Sequence, residues 1–196
     1  MDKKEADGQL LIDHPALPTA DVLRGLHFDS SQIDILLIAR SLSRQCRYLG
    51  HLRSGIEHYS VAQHCVLVSC IVPEKLALCG LLHDAEEAWT GDIISPMKKS
   101  LDIIAPDWRK IVLEPIERAI AQKFKIKHPH PAVIKHADLL IRGTEIRSVV
   151  DPDYMSRFPN DVAAPFYDDM DIVPMSSSQA YEAFMDRYRA ITNGHI

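Results

Sequence analysis

The chemistry-bearing residues of this chain begin with His83-Asp84, inside the run Gly80-Leu81-Leu82-His83-Asp84-Ala85-Glu86-Glu87. The run is otherwise patterned like a buried helix. Burying polar groups without partners costs on the order of 2–7 kcal/mol each, and a bare carboxylate costs more. A metal ion would offset that cost. His64 and Asp138 are two further ligand types on other expected helices. A lone histidine among apolar residues is more often a satisfied core residue, but its pairing with His83-Asp84 reverses that preference. Two His and two Asp give mixed N/O coordination, suited to zinc or cobalt, with manganese, iron or magnesium as further candidates and calcium disfavoured. A metal in such a site lowers the pKa of a bound water toward roughly 7.

If the run is helical, Glu87 follows His83 by four residues and Asp84 by three, so all three share one face. That places a carboxylate where a general acid or base should stand. Asp92, beside Gly91, can return over the same face. Lys135 lies one turn before Asp138 and on its side of the helix, where it can meet a phosphate. His136 is a rival ligand, but it points about 200° round the helix from Asp138, so only one of them can face a metal.

These residues need helices to hold them. Ser31 can cap a helix that carries Ile33, Leu36, Leu37 and Arg40 toward Cys46 and ends at Gly50. Ser60 with Gln63 fits a capping box for a second helix through His64. Pro73 opens a third, which carries His83-Asp84 and closes at Gly91. Pro106 opens a fourth, with Ile111, Ile116, Ile120 and Phe124 inward and a kink at Pro115. Pro131 opens a fifth through Asp138 to about Val150. A last helix runs from Ser178 to about Ile191. Alternation of the β type is nearly absent. The expectation is an all-α single domain over 1–196, a bundle of about six helices, with 1–10 disordered and 151–177 an acidic extended loop.

At 196 residues and 46% hydrophobic content, the chain can bury a real core. Its net charge is −5, which argues against a nucleic-acid partner. That charge is localised: between Asp151 and Met175 stand six Asp and one Arg. The four cysteines form no CxxC pair and read as small buried hydrophobes in a reducing compartment. Met1 to Gly8 lacks the apolar region of a signal peptide, and no run approaches a membrane span. A cytoplasmic location without membrane contact is expected.

The order His64, His83-Asp84, Asp138 resembles the HD-domain phosphohydrolase superfamily. Four blocks narrow the resemblance: Cys46-Arg47-Tyr48-Leu49-Gly50-His51, Tyr59-Ser60-Val61-Ala62-Gln63-His64, Leu82-His83-Asp84-Ala85-Glu86-Glu87, and Thr90-Gly91-Asp92-Ile93 with Pro96 and Lys98. They are similar to a branch containing bacterial 5′-deoxynucleotidases and phage dATP triphosphohydrolases, over roughly residues 31 to 150. The link from His64 to His83 is shorter than in the bacterial nucleotidases.

The resemblance implies an HD-domain helical bundle. It implies His64, His83, Asp84 and Asp138 as metal ligands. Glu87 and Asp92 would handle the nucleophilic water and the leaving-group proton. Arg47, Lys98 and Lys135 would bind phosphate oxygens. Tyr48, Pro96 and Met97 would line the sugar-base pocket, with His51 near the substrate. The substrate would be a deoxynucleotide and the protein a homo-oligomer, dimer or hexamer, in the host cytoplasm if phage-encoded. Three cationic candidates favour a polyphosphate, so dATP triphosphohydrolase is the leading expectation and 5′-deoxynucleotidase the alternative. A non-catalytic, metal-stabilised helical module is the second alternative, although Glu87 and Asp92 would then have no role. A phosphodiesterase for cyclic or alarmone nucleotides would need further ligand motifs.

Overall fold

The structure is a computed structural model that describes residues 30–156 and 172–193. The expected disorder of 1–10 lies outside the described residues. Among them there is helix and no strand, with two isolated antiparallel bridges, Cys46 to Ser60 and Leu52 to Val150. The all-α expectation holds.

The helix Val61–Ile71 (α2) is the centre of the arrangement, touching α1 (Ile35–Arg44), α3 (Ala77–Leu81), α7 (Ala132–Ser148) and α9 (Ser177–Ile191). It is apolar on nearly every side, and such a helix belongs in the interior. Val61, Ala62, Cys65 and Val68 are fully buried, and so is His64 on the same helix. The main core joins Ile38 and Leu42 of α1, Leu81 and Leu82, Ile116 and Ile120 of α6 (Glu114–Phe124), and Phe184 and Met185 of α9. Each large apolar side chain buried there contributes roughly 1.5–3 kcal/mol. Gly80 lets α3 press against α2: a Cβ there would lie 3.0 Å from Ser69 Cα and 3.1 Å from Val72 Cγ2. Arg187 of α9 ties down the end of α2, donating to the Ser69 carbonyl at 2.8 Å and its hydroxyl at 2.9 Å.

Several local expectations are corrected. Asp34 rather than Ser31 caps α1, its side chain accepting from the Leu36 N–H. Ser60 caps α2, but the capping box is only half formed. The Gln63 side chain turns away to the Val173 carbonyl and the Met175 N–H, docking the segment before α9. A complete box occurs instead at Ser176 and Gln179, which opens α9. The stretch from Pro73 to Gly91 is not one helix. A 3₁₀ turn Glu74–Leu76 leads into α3, residues 82–86 form turns, and α4 covers only Glu87–Thr90. His83-Asp84 therefore sits on a bend between short helices.

A helix absent from the sequence expectation, α5 (Ser95–Ile104), opens at Ser95-Pro96. After it comes a π-helical turn, Arg109–Leu113, and then α6 with Pro115 in its first turn. Pro115 thus lies where the π-helical turn passes into α-helix within one continuous helical run. Ile111, expected inward, is half exposed because it lies on that turn. The 151–177 stretch is not wholly extended: Pro152–Met155 is a helical turn (α8), and 157–171 lie outside the described residues. All four cysteines are free; Cys65 and Cys79 are buried and Cys46 half-buried, but Cys70 is exposed. No helix among the described residues is long and apolar enough to cross a membrane.

Candidate metal centre

His64 points out of the middle of α2, His83 and Asp84 out of the 82–86 bend, and Asp138 out of α7. Their ligand atoms converge. His64 Nε2 lies 3.2 Å from His83 Nε2, 3.4 Å from Asp138 Oδ1 and 3.6 Å from Asp84 Oδ2. His83 Nε2 lies 3.2 Å from Asp84 Oδ2. Ligand bonds of ~2.0–2.2 Å put neighbouring donor atoms about 3–3.5 Å apart around one ion, and the observed spacings match. His136 is exposed, so Asp138 is the residue of that pair that joins the cluster.

The outward nitrogen of each imidazole faces an acceptor. His64 Nδ1 is 2.6 Å from Glu145 Oε1, and His83 Nδ1 is 2.9 Å from the Gly80 carbonyl. Each Nδ1 therefore carries a proton, so that each ring, when neutral, presents the Nε2 lone pair inward. Two facing lone pairs with two carboxylates need a cation between them. Partners of this kind are those that orient metal-binding histidines. The donor set therefore fits a divalent ion.

Without the ion, protons supply positive charge. Burial alone would depress His83, but Asp84 holds it well above the ordinary imidazole range. Burial and Arg47 press His64 down, while Glu145 and Asp138 carry it up. Asp84 and Asp138 sit well below the usual carboxylate range, since the imidazoles outweigh the effect of burial. Cys65 also reaches His83 and Asp84, but burial pushes its thiol up to about 11, leaving it a neutral, weak ligand.

A cavity of about 500 Å³ opens over this cluster, lined by Asp84 and Asp138 together with Arg47, Tyr48, Glu87, Asp92, Pro96, Lys98 and Lys135. Most of the residues singled out from the sequence are thus brought together. Two are not: His51 and Met97 are exposed and do not line the cavity. Lys99, Arg109 and Arg142 line it as well and had no sequence signal beyond their charge.

Glu87 is almost fully buried. One of its oxygens is 3.4 Å from Lys98 Nζ, and the other has no hydrogen-bond partner among the described residues. Although the expected helix is broken, its carboxylate lies within 4.8 Å of those of Asp84 and Glu86. Burial, and then Asp84, Asp92 and Glu86, hold its acid form well above the usual range. Glu86 is pushed up to about 8 by burial and then by Asp84. Lys135 Nζ is 2.6 Å from Asp138 Oδ2, so its ammonium rests on a candidate ligand.

Arg47, Tyr48 and Gly50 occupy a turn in which Tyr48, Leu49 and Gly50 all have left-handed backbones (φ 56°, 54° and 78°). Such strain in non-glycine residues costs of order 1–3 kcal/mol each and concentrates where side chains must be aimed. Arg47 is buried; its Nη2 donates to Glu145 Oε2 at 3.0 Å, its Nη1 is 3.8 Å from Asp84 Oδ2, and its Nε has no partner among the described residues. Tyr48 donates to Glu145 Oε2 at 2.5 Å and Tyr59 to Oε1 at 2.8 Å. Glu145 was missed by the sequence reasoning. A glutamate two turns after Asp138 on the same helix face, followed by Ile146, was the available signal.

No family model matches the chain. It is 36% identical over 173 residues to the uncharacterized protein YfdR of Escherichia coli (strain K12), an alignment covering 86% of this chain and 92% of that protein. The chain therefore belongs to the YfdR family.

Proposed function

We propose that the chain is a metal-dependent deoxynucleotide phosphohydrolase with an HD-type site, acting best on dATP and releasing deoxyadenosine and triphosphate. The observation that carries this is a cluster of four candidate ligands beside a buried carboxylate in the wall of the same cavity, Glu87, one of whose oxygens has no partner among the described residues. A purely structural site would close its shell and would not need an uncompensated acid next to it. A zinc or cobalt ion held by His64, His83, Asp84 and Asp138 supplies Lewis acidity and lowers the pKa of a water it binds.

The chain's own residues do the rest. Glu87 takes the proton from the attacking water, a role suited to an acid whose pKa lies above the ordinary range. The water oxygen joins the phosphorus ester-linked to the 5′ carbon, and the bond from phosphorus to the 5′ oxygen breaks. The 5′ oxygen then takes up the proton that left the water, handed on by Glu87 with Asp92 beside it in the cavity wall. Arg47, in the cavity lining, offers its guanidinium to a phosphate oxygen, and charge-assisted bonds of this kind contribute roughly 1.5–3 kcal/mol. Lys98, Lys99, Lys135 and Arg142 add positive charge around the same space, which favours a polyphosphate, whereas Arg109 is engaged by Asp102 of the same lining at 2.8 and 3.1 Å. Tyr48 and Pro96 present the apolar surface for sugar and base.

A 5′-deoxynucleotidase is the second reading. It is favoured by one observation: Lys98 and Lys135 already rest on Glu87 and Asp138, leaving less charge for outer phosphates. A panel of dNTPs and dNMPs, with products identified, tests both. Triphosphate and deoxyadenosine from dATP support the leading proposal. Inorganic phosphate released only from monophosphates replaces it with the nucleotidase, and no turnover on any member removes both.

A further inference from the structure

Glu145 does more than orient His64. Its carboxylate is fully buried, and each oxygen serves a different part of the cavity. Oε1 accepts from His64 Nδ1 at 2.6 Å and from Tyr59 at 2.8 Å. Oε2 accepts from Arg47 Nη2 at 3.0 Å and from Tyr48 at 2.5 Å. The first oxygen stands directly behind a candidate metal ligand. The second holds the guanidinium of Arg47, a residue of the cavity lining, whose Nε is buried and partnerless among the described residues. We propose that Glu145 is a positioning residue that links the two ends: it restrains Arg47 while the metal site is empty and yields it to a phosphate-class oxyanion when the site is filled.

The reasoning is electrostatic. A cation on His64 Nε2 makes the Nδ1–H a stronger donor, and a carboxylate behind a metal-bound imidazole shares its charge with that ring. Charge drawn to Oε1 is charge withdrawn from Oε2, so the hold on Arg47 weakens. The same cation engages Asp84, whose Oδ2 lies 3.8 Å from Arg47 Nη1 and otherwise competes for it. Metal and oxyanion then bind with positive linkage, and couplings of this kind typically amount to about 5–150-fold in affinity. The register of α7 makes the link possible. Asp138 and Glu145 are seven residues apart, two turns on one face, so one helix delivers both a metal ligand and the latch behind another. Because Tyr48 hangs on the same oxygen, the left-handed turn that aims Arg47 is fixed from the same point.

The inference rests on the metal site of the preceding proposal but not on hydrolysis, and neither readout below involves turnover. Glu145→Gln keeps the shape and removes the charge. Its affinity for Co²⁺ should fall about 10- to 100-fold, with a changed Co²⁺ absorption spectrum. Its affinity for inorganic phosphate in the metal-free state should be equal to or higher than that of the unaltered protein, because Arg47 is no longer neutralised. The factor by which Co²⁺ raises phosphate affinity should shrink at least fivefold. A residue needed only for folding would lower both affinities along with Tm, and that outcome overturns the proposal, as does Co²⁺ affinity within twofold of the original. If Glu145→Gln does not fold, arginine side-chain ¹⁵N spectra of the unaltered protein decide. Saturation with diamagnetic Zn²⁺, without any anion, should mobilise the buried guanidinium of Arg47. An unchanged Arg47 signal at metal saturation refutes the linkage.

Discussion

Replacing Glu87 by Gln should move activity and stability in opposite directions. The substitution keeps the volume and removes one negative charge from a crowded place. Carboxylate oxygens of Asp84, Glu86 and Glu87 lie within 4.8 Å of one another, with the Lys98 ammonium 3.4 Å from Glu87 as the nearby counter-charge. Burial, followed by the charges of Asp84, Asp92 and Glu86, raises the pKa of Glu87 in the folded protein. A carboxyl group whose folded pKa exceeds its unfolded value is a liability when ionised. Its cost is present at neutral pH and vanishes as pH falls below the unfolded value near ~4.3. Gln removes that cost at every pH. Relieving such active-site strain commonly gains ~0.5–2 kcal/mol. For a chain of this size each kcal/mol moves Tm by about 2–4 °C, so the metal-free variant should melt roughly 1–8 °C higher at pH 7. The gain should shrink toward pH 4, where the unaltered side chain is protonated. Hydrolysis should fall by a factor of about 10² to 10⁴, equivalent to ~3–5 kcal/mol of barrier. Scanning calorimetry on chelated protein and a product-release assay on metal-loaded protein read the two effects. A lower Tm with near-normal turnover would mean that Glu87 is merely the structural partner of Lys98.

Metal binding should expel protons, because neighbouring carboxylates hold the pKa values of both His64 and His83 above the ordinary range. Affinity for Zn²⁺ should therefore weaken as pH falls through and below neutrality, and calorimetry in buffers of different ionisation heat should register proton release; zero release would contradict the ligand set. Lys98→Ala and Lys135→Ala should reduce kcat/KM for dATP more than for dAMP, since outer phosphates depend on them; equal losses would favour the nucleotidase. Gly80→Ala should lower Tm by several degrees, because its Cβ would press on the Ser69 backbone at 3.0 Å and overpacking typically costs 1–3 kcal/mol. An unchanged Tm would mean that α2 and α3 can separate without cost.

The all-helical class was legible because apolar residues recur at helical spacing and Pro and Ser mark several starts. The four candidate ligands were legible because His and Asp in apolar runs need a reason to be there. What the sequence could not disclose was local breakage. The 82–86 turns interrupt an apolar run that reads as continuous helix, yet Glu87 still reaches Asp84 by folding rather than by helical spacing. The helix α5 was hidden because Met97, Ile103 and Ile104 are all well exposed, so no buried face organises its pattern. Glu145 escaped because a glutamate late in a helix is usually solvated. Only the tertiary approach of Arg47, Tyr48, Tyr59 and His64, up to 98 residues away in the chain, makes it a hub. His51 and Met97 fell outside the cavity because position near a motif does not fix side-chain direction.

The most direct test is to strip the metal with a chelator and follow helical signal and dATP hydrolysis in the same sample, before stripping, after it, and after restoring Co²⁺ or Zn²⁺. Loss of hydrolysis with the helical signal retained, and recovery of deoxyadenosine and triphosphate on restoring the ion, is the expected result. Loss of the fold together with the metal, and no hydrolysis by the loaded protein, would contradict a catalytic centre and leave a metal that only ties the helices together.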